Sequence, residues 1–414
     1  MPPKSTMLLV LPVPFRMGEA GLMVEHQAHH GMRRWLDSFT HLSIAAPLIP
    51  EPLALQRPEI SWLPASDLTT YIDFCPLPWA YRPDLFLKCI PHVASILNNE
   101  IDKCHYLQFA LGGLWGDWAA IAAILALKKQ RTFSVHTDRV EHEVVLKVSR
   151  ELSRSRRLRA VAESAMMKAL HKFIIKRCGL GLFHGMDTYE YYHAWMQQNG
   201  KGDKAYCIHN IHDEGLQETS VKPLPPTPPL FKEKKGLRIL YTGRIEATKA
   251  PMQWLTVLNR LKEKNMAVDA VWAGDGNLRQ EFMKKISDYK LEGIVTTPGF
   301  IKDRTMIAEL YRSADIFLFT HITPESPRCL LEALRFGVPI IGYESAFARD
   351  LIAGNGGGFL VPNENTEILA EAVAELISNQ KHLSRLKEQA FKDGARFTSK
   401  AVFEERSRLI KVYT

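Results

Sequence analysis

Several features that would place the chain in a common class are missing from its 414 residues. There is no Cys-x-x-Cys pair, and the six cysteines are scattered. This argues against a disulfide framework or a zinc site and is typical of reduced thiols in a cytosolic protein. There is also no Asp-x-Asp sequence that could hold a metal ion on a diphosphate. We therefore predict no metal site.

An uninterrupted apolar run long enough to span a membrane is missing as well. The nearest candidate is residues 106–127, where Gly112, Gly113 and Gly116 break the run and Asp117 places a charge in its middle. A charge at that depth is expensive in lipid. We predict a buried strand, a glycine turn and a buried helix capped by Asp117.

Both halves of the chain instead alternate strand-like and helix-like segments. In the first half the strand-like runs are Met7–Val13, Leu42–Ala46, Tyr106–Ala110, Thr132–His136, Leu180–His184 and Lys204–Ile208. In the second half they are Leu237–Thr242, Ala267–Ala273, Ile294–Pro298, Ile316–Thr320, Pro339–Gly342 and Gly358–Val361. This pattern predicts an α/β protein with two doubly wound domains, which bind ligands at the carboxyl ends of their strands.

The best domain boundary is a proline-rich segment. Residues 222–230 contain five prolines and should form a stiff, extended connection. We predict a first domain over 1–220, a linker over 221–235 and a second domain over 236–397. The remaining residues, 398–414, are predicted to form a C-terminal helix.

Two cations follow the first strand of the second half. Gly243 ends that strand, and Arg244 and Lys249 lie five positions apart in the next loop. Cations at a strand end can grip a diphosphate. A solvated loop would show the same residues.

The next two strand ends carry glycines. Gly274 and Gly276 suggest a dinucleotide fingerprint, but Arg279 stands where the third glycine should be, which argues against a dehydrogenase. After the third strand, the backbone at Phe300 and Ile301 could face a nucleobase.

A short helix is predicted within residues 325–339. Ser326 is a good N-cap, Pro327 suits the first helical position, and Gly337 can end the helix after about three turns. The first N–H groups, near Arg328 and Cys329, would form an anion-binding end.

Two carboxylates accompany this helix. Glu325 precedes it and Glu332 lies inside it. Amides for a diphosphate beside carboxylates for hydroxyl groups suit a nucleotide-sugar. Alternatively, Glu332 and Arg328 are four positions apart and could form a weak surface ion pair.

The net charge of +8 is concentrated in one segment. Residues 147–177 hold ten basic and two acidic residues, so the rest of the chain is neutral. Apolar residues at helical spacing are interleaved with the basic ones: Val161, Met166, Met167, Leu170, Phe173 and Ile174. The segment could bind an anionic membrane surface or be a solvated helix face. No recognised nucleic-acid motif accompanies it, so no nucleic-acid partner is predicted.

The succession of motifs in residues 236–397 resembles the second domain of retaining family-4 glycosyltransferases of GT-B fold. The matching peptides are Tyr-Thr-Gly-Arg-Ile-Glu-Ala-Thr-Lys, Trp-Ala-Gly-Asp-Gly-Asn-Leu-Arg, Pro-Gly-Phe, Leu-Tyr-Arg-Ser-Ala-Asp-Ile-Phe-Leu, Leu-Leu-Glu-Ala-Leu-Arg-Phe-Gly-Val-Pro and Gly-Gly-Phe-Leu-Val-Pro. The first half resembles the family more weakly, through its first strand, a glycine loop at Gly18 and His136. The resemblance implies two Rossmann-like domains facing a cleft, with the C-terminal helix returning to the first domain.

The resemblance also implies roles for single residues. Arg244 and Lys249 would hold the donor diphosphate, Glu332 the ribose hydroxyls and Glu325 the donor sugar. His136 would lie near the transferred sugar. The remaining candidates would line the donor or acceptor: Gly18, Gly243, Gly274, Gly276, Phe300, Ile301, Arg328 and Cys329. One departure concerns Glu325, since only six residues separate it from Glu332, where the family has seven.

The sequence therefore predicts a retaining, metal-independent hexosyltransferase without a cofactor. It would move a sugar from a nucleotide-diphosphate sugar to a hydroxyl of a glycolipid, lipid-linked saccharide or polysaccharide precursor. We expect it in the cytoplasm, peripheral to the inner membrane face. The alternatives are a phosphorylase or epimerase of the same fold, and a catalytically dead relative that binds nucleotide.

Overall fold

The computed structural model describes residues 5–19, 21–57, 60–149, 153–209, 211, 231, 236–323, 325–395 and 397–414. The chain divides into unit 1, Met1–His212 with Ser399–Thr414, and unit 2, Asp213–Thr398. Apart from Phe231, the predicted linker over 221–235 lies outside the described residues. No helix in these described ranges has both the length and the apolar character that a membrane span requires.

Unit 1 is built on a parallel sheet with a small antiparallel sheet beside it. Its strands are β1 (Thr6–Val10), β2 (Phe15–Gly18), β3 (Gly21–Glu25), β4 (His41–Pro47), β5 (Trp62–Pro64), β6 (Ile72–Leu77), β7 (Tyr106–Ala110), β8 (Ser134–Thr137), β9 (Leu180–His184) and β10 (Ala205–Ile208). Its first helices are α1 (His26–Leu36), α2 (Glu51–Leu55), α3 (Pro83–Lys103), α4 (Trp118–Lys128), α5 (Glu141–Val148), α6 (Arg154–Ile175) and α7 (Gly185–Gln197).

Unit 2 repeats this alternation. Its strands are β11 (Leu237–Thr242), β12 (Val268–Ala273), β13 (Val295–Gly299), β14 (Ile316–Phe319), β15 (Ile340–Tyr343) and β16 (Gly358–Val361). Its helices are α8 (Pro251–Glu263), α9 (Arg279–Asp288), α10 (Arg304–Ser313), α11 (Arg328–Arg335), α12 (Ala346–Ile352), α13 (Thr366–Ser378) and α14 (Gln380–Ala395), and the last helix of the chain is α15 (Ser399–Tyr413).

The two large sheets have the same strand order. In unit 2 it is β13-β12-β11-β14-β15-β16, and in unit 1 it is β6-β4-β1-β7-β8-β9-β10. Each is the doubly wound Rossmann order, with one extra strand in unit 1. The order reverses between β1 and β7 and between β11 and β14, and such switch points are where ligands bind. The predicted α/β fold of two Rossmann-like domains is confirmed.

Strand β1 shows how the sheet of unit 1 is buried. Leu8 and Val10 belong to one apolar cluster, whereas Met7 and Leu9 belong to another. Successive side chains point to opposite faces of a strand, so both faces of this sheet are covered. A continuous apolar run is what a parallel strand covered on both faces requires.

The apolar segment 106–127 folds as expected. It forms β7 and α4, and the Asp117 carboxylate accepts a hydrogen bond of 2.9 Å from the Ala120 amide. The other oxygen of Asp117 accepts one of 3.0 Å from the Gly112 amide. The predicted helix cap is confirmed, and it also ties down the glycine turn.

The glycine loop predicted at Gly18 lies in a β-hairpin that follows β1. Strands β2 and β3 form an antiparallel hairpin in which Gly18 pairs with Gly21. A Cβ on Gly18 would lie 2.4 Å from the Met23 sulfur, so a larger residue here would require this flexible side chain to move. A substrate contact at Gly18 remains a prediction.

The C-terminal helix α15 belongs to unit 1, as predicted. Phe403 packs edge-on against Trp35 with ring centroids 5.1 Å apart, and the Tyr413 and Tyr206 hydroxyls lie 2.8 Å apart. Helix α15 is therefore part of the core of unit 1, although almost 190 residues of the other unit precede it.

Candidate functional site

The strand order of unit 2 places the predicted donor residues in one row. Along the carboxyl edge of the sheet, Phe300 follows β13, Gly274 follows β12, Lys249 follows β11 and Glu325 follows β14. The row therefore runs in the order predicted for nucleobase, diphosphate and sugar.

Lys249 and Glu325 meet at the switch point of unit 2. The lysine Nζ lies 2.5 Å from Glu325 Oε1, and each side chain is only 11% exposed. The main chain at Lys249 is fixed as well, because its carbonyl accepts a hydrogen bond of 2.9 Å from the Thr320 hydroxyl. A sheltered ion pair held by two neighbouring strands is a strong electrostatic feature, since both charges have lost most of their water.

Arg244 is much less constrained. Its side chain is 66% exposed, and its guanidinium lies 3.3 Å from Glu246 Oε1. Glu246 also accepts a hydrogen bond of 3.1 Å from the Thr248 hydroxyl. Arg244 can therefore turn toward an anion at the cost of a weak, solvated ion pair.

Glu332 holds a network that sequence reasoning missed. Its Oε1 lies 3.0 Å from the Arg304 guanidinium, and its Oε2 accepts a hydrogen bond of 3.0 Å from the Tyr311 hydroxyl. The Thr242 hydroxyl lies 2.6 Å from the Tyr311 oxygen, so Tyr311 accepts from Thr242 while it donates to Glu332. Burial, followed by the Glu332 charge, raises the pKa of Tyr311 well above its usual value. Glu332 is thus fixed in position by Arg304 and Tyr311.

Helix α11 begins one residue later than predicted. Pro327 is the N-cap, with an extended backbone, and the helix has eight residues, about two turns instead of three. Its end is as expected, because Gly337 adopts a left-handed conformation with φ of 69°. Burial raises the pKa of the Cys329 thiol to about 12, so this cysteine stays protonated.

The glycines after β12 have a packing role. A Cβ on Gly274 would lie 1.9 Å from the Gly243 carbonyl oxygen, and one on Gly276 would lie 2.3 Å from the Ile245 carbonyl oxygen. The Ile245 amide donates to the Asp275 carbonyl over 3.0 Å. These glycines let two strand-end loops pack backbone against backbone, which accounts for a Gly-x-Gly sequence without a dinucleotide fingerprint.

The loop after β13 exposes an apolar ring. Gly299 adopts a left-handed conformation with φ of 79°, and the Phe300 side chain is 44% exposed. Ile301 beside it is half-buried. An exposed phenylalanine next to a turn glycine is compatible with nucleobase binding, which remains a prediction.

Two buried polar groups after β14 were not singled out in the sequence. His321 Nε2 lies 2.7 Å from the Tyr241 hydroxyl, but His321 Nδ1 and the Thr323 hydroxyl have no hydrogen-bond partner among the described residues. Burial, followed by the Lys249 charge, holds the pKa of His321 well below its usual value. A neutral imidazole and a hydroxyl beside Glu325 could bind substrate hydroxyl groups.

In unit 1, His136 lies at the carboxyl end of β8, as predicted. Its Nε2 lies 3.4 Å from Asp138 Oδ1 and is hydrogen-bonded to His184 Nε2. Sequence reasoning missed His184, although the same strand-end rule applies, because His184 is the last residue of the neighbouring strand β9.

The basic segment forms the end of α5 and all of α6. Only some of its apolar residues are on the surface: Met167 and Ile174 are buried in unit 1, whereas Leu158, Val161, Met166 and Phe173 are exposed. The apolar residues of this segment are therefore divided between the core and the surface. Helix α6 uses its Ala160, Ser164, Met167, His171 and Ile174 face for the core.

Comparison with known proteins identifies the pattern in unit 2. Residues 228–393 match the model of the family described as Glycosyl transferases group 1. The putative colanic acid biosynthesis glycosyltransferase WcaL of Escherichia coli K12 is 26% identical over 166 residues, which are 39% of this chain and 40% of WcaL. The Campylobacter jejuni GalNAc-α-(1→4)-GalNAc-α-(1→3)-diNAcBac-PP-undecaprenol α-1,4-N-acetyl-D-galactosaminyltransferase is 31% identical over 157 residues, 37% of this chain and 41% of that protein.

Solved structures extend the comparison to the whole chain. Anabaena HepE, in complex with UDP, superposes with a TM-score of 0.65 and 16% identity over 99% of this chain and 100% of HepE. The fold is GT-B. The alignments with the first three curated relatives span between 33% and 54% of the lengths of those proteins. The match to the group 1 glycosyltransferase model thus lies within unit 2, and unit 1 is matched through its fold alone.

Proposed function

We propose that the protein is a retaining, metal-independent glycosyltransferase that uses a nucleotide-diphosphate sugar. The observation that carries the proposal is the Lys249–Glu325 ion pair at the switch point of unit 2. A cation suited to a diphosphate and a carboxylate suited to sugar hydroxyls lie together where an α/β sheet binds its ligand. The group 1 pattern over residues 228–393 supports the same reaction class.

The chemistry follows from the charges. As the bond between the sugar C1 and the phosphate oxygen breaks, negative charge develops on the diphosphate, and Lys249 and Arg244 stabilise it. The acceptor hydroxyl attacks C1 from the face that the phosphate leaves. A new C1–oxygen bond forms, and the hydroxyl proton passes to the departing phosphate oxygen. No enzyme nucleophile is needed, which fits Glu325 paired with a lysine.

We propose that donor binding exchanges the partners of this ion pair. Lys249 turns from Glu325 to the diphosphate, and Glu325 is released to accept hydrogen bonds from the sugar. Both groups then remain paired in the complex, which avoids leaving a buried charge without a partner. The shortened spacing between Glu325 and Glu332 is compatible with this exchange, because α11 begins late and leaves Glu325 outside the helix.

UDP-sugars are the first donors to test. Anabaena HepE has been solved with UDP and with UDP-glucose. The name of WcaL refers to colanic acid biosynthesis, and that of the C. jejuni enzyme to a glycan on diphospho-undecaprenol. These names support a polysaccharide precursor or a lipid-linked saccharide as the acceptor class here.

A thermal-unfolding series tests the donor assignment. A nucleotide at one hundred times its Kd should stabilise the protein by about 2.7 kcal/mol. We expect a rise in Tm with one of UDP, GDP or ADP and a further rise with its sugar. Glu325→Gln should keep the nucleotide effect and lose the further rise, whereas the surface control Glu309→Gln should behave like wild type. No rise with any of these nucleotides would contradict the proposal.

We also propose that α6 attaches unit 1 to the cytoplasmic face of an anionic membrane. Ser153, the N-cap of α6, and the first six residues of the helix, Arg154–Arg159, are all exposed, and they include Leu158 at 72% exposure. Cations beside exposed apolar side chains are complementary to anionic headgroups and the acyl boundary. Arg159 contributes less, because it pairs with Glu163 over 2.9 Å. At the start of α3, Leu85 and Leu87 are also exposed, beside a groove that Met166 of α6 lines.

Sedimentation with vesicles tests this attachment. Replacing Arg154, Arg156 and Arg157 with serine should weaken binding to anionic vesicles at least tenfold, at about 1 kcal/mol for each basic residue. The matched control removes three exposed cations from α14, Lys381, Arg385 and Lys392. High salt should abolish wild-type binding. Equal sedimentation of both variants, or none by wild type, would leave α6 a solvated face and favour a soluble acceptor.

A further inference from the structure

Two buried histidines and an aspartate form a cluster at the carboxyl ends of β8 and β9. His136 is 9% exposed and His184 is 1% exposed. Their ring centroids are 4.1 Å apart, and the rings are inclined by 63°. Asp138 lies at the outer end of the cluster, with a side chain 64% exposed.

The three side chains form a chain of hydrogen bonds. Asp138 Oδ1 lies 2.6 Å from His184 Nδ1, and His184 Nε2 is bonded to His136 Nε2. The distance from Asp138 Oδ1 to His136 Nε2 is longer, 3.4 Å. The shortest path from the carboxylate to His136 therefore runs through both nitrogens of His184.

The direction of each bond follows from the chemistry of its groups. An ionised carboxylate only accepts, so His184 must carry a proton on Nδ1. A neutral His184 then has a lone pair on Nε2, which can only accept from His136. His136 must therefore carry its proton on Nε2, and its lone pair is on Nδ1.

Burial keeps both rings neutral. It is the main reason why the pKa of His136 lies well below its usual value, and the neighbouring His184 lowers it further. Burial also lowers the pKa of His184, while Asp138 opposes this effect. Two other groups act on the cluster in the same direction as burial: Arg406 from α15, and His209, which lowers the pKa of His184.

We propose that Asp138 and His184 are positioning residues that hold His136 as its Nε2–H tautomer, so that His136 Nδ1 accepts a hydrogen bond from a hydroxyl group of the sugar substrate. A lone pair at this position selects a hydroxyl donor and disfavours a phosphate oxygen, which carries no proton to give. The hydroxyl part of the inference rests on the proposed transferase function. The tautomer part does not, because it follows from the hydrogen bonds alone.

The same atoms could hold a metal ion, which gives the test a second outcome. His136, Asp138 and His184 offer ligand atoms that all lie within 4.8 Å of one another. The contacts between neighbouring members are hydrogen-bond contacts, and a bound ion would have to spread them apart.

Nitrogen NMR of the full-length protein tests the tautomer directly. We expect long-range ¹H–¹⁵N spectra of histidine-labelled protein at pH 7 to show His136 protonated on Nε2 and His184 protonated on Nδ1. Asp138→Asn should convert this single state into a mixture, because an amide can donate as well as accept. A proton on His136 Nδ1, or a charged His136 at pH 7, would overturn the proposal. So would equimolar Zn²⁺ that shifts both histidines and is reversed by a chelator.

Kinetics test the hydroxyl contact. Asp138→Asn should lower kcat about tenfold, with the KM for the donor nearly unchanged. It should also change how kcat falls with decreasing pH. The control is His142→Gln, another buried histidine of unit 1, which bonds to the Tyr191 hydroxyl over 2.9 Å and is outside the cluster. Wild-type kcat in Asp138→Asn, despite a mixed tautomer, would overturn the hydroxyl contact. Failure of the transferase proposal would leave the NMR result intact, so the two failures are distinguishable.

Discussion

The two units share a strand order but use opposite chemistry at their strand ends. In unit 2 the groups there are charged: Lys249 pairs with Glu325, and Arg304 pairs with Glu332. In unit 1 two buried imidazoles meet, and burial holds both pKa values low. One Rossmann scaffold therefore carries an ionic site and a neutral hydrogen-bonding site.

We expect this difference to give each site a different kind of ligand group. Ion-paired groups with little exposure suit a diphosphate. In the empty site each cation is paired with a carboxylate of the protein, and the diphosphate can take the place of that carboxylate. Neutral imidazoles suit hydroxyl groups, which they can orient without attracting anions. The strand order alone could not have made this distinction, because it depends on the residues that follow each strand.

The largest expected effect concerns the glycines that shape unit 2. Gly274→Ala should destabilise folding by on the order of 3–5 kcal/mol, because the new Cβ would overlap a backbone carbonyl that cannot move aside. Gly293→Ala is the control, since nothing lies within 4 Å of its added Cβ. Urea unfolding of both variants measures the difference. A fully stable Gly274→Ala that loses only nucleotide binding would show that this glycine serves the ligand instead.

Removing the cation of the ionic site should have the largest effect on catalysis. Lys249→Ala is expected to lower kcat/KM for transfer roughly a hundredfold, because this is the usual effect of removing one preorganised group that stabilises the charge developing in the transition state. Lys264→Ala removes a lysine 46% exposed at the end of α8 and should change nothing. Steady-state kinetics with saturating acceptor provide the measurement. A wild-type kcat/KM in Lys249→Ala as well as in Lys264→Ala would contradict a role for the Lys249 charge in transfer.

A smaller loss is expected at Glu332. Glu332→Gln should weaken nucleotide binding about tenfold, or about 1.4 kcal/mol, because the amide keeps the Tyr311 contact but loses its charge toward the ribose and Arg304. Tyr311→Phe keeps the charge and should cost less affinity, although it leaves the Thr242 hydroxyl without its partner. Calorimetric titration of both variants with the nucleotide measures the two losses of affinity. A larger loss for Tyr311→Phe would mean that Glu332 is structural.

A smaller effect is expected from acid, which should lower the stability of unit 1. Burial lowers the pKa of His142 from 6.5 to about 4, and it also lowers those of His136 and His184. Below pH 6.5 these histidines therefore bind more protons in the unfolded chain than in folded unit 1. For this reason the free energy of unfolding should fall as the pH drops toward 4. In urea titrations at pH 7.5 and 5, His142→Gln should show a smaller fall than wild type. An equal fall would exclude His142 as a source of the acid sensitivity.

Local patterns predicted most of the fold. All twelve predicted strands are present, and Leu180–His184 and Leu237–Thr242 match to the residue. The strands that were missed, β2, β3, β5 and β6, lie in unit 1 and are short or interrupted by proline, as in Ile72–Leu77 with Pro76. Helix α11 was placed one residue early because Ser326 is the favoured N-cap by residue type and Pro327 suits the first helical position, whereas the backbone conformation makes Pro327 the N-cap.

The site was predictable where it lies at strand ends. Lys249 and Glu325 follow strands that periodicity identifies, and His136 lies at the end of one, so their neighbourhood could be inferred from topology. The partners of Glu332 could not, because Arg304 is 28 residues away and Tyr311 is 21 residues away. Those contacts depend on how α10 packs beside α11, which no pattern in either helix records.

The most direct test of the transferase proposal is the stereochemistry of the product. The protein is incubated with UDP-glucose and other UDP-sugars, an oligosaccharide or diphospho-polyprenol acceptor and excess EDTA, and the anomeric proton is followed by NMR. We predict transfer that EDTA does not inhibit, with the product keeping the anomeric configuration of the donor. Inverted product, transfer that stops with EDTA, or release of sugar phosphate only with added orthophosphate would contradict a retaining, metal-independent glycosyltransferase.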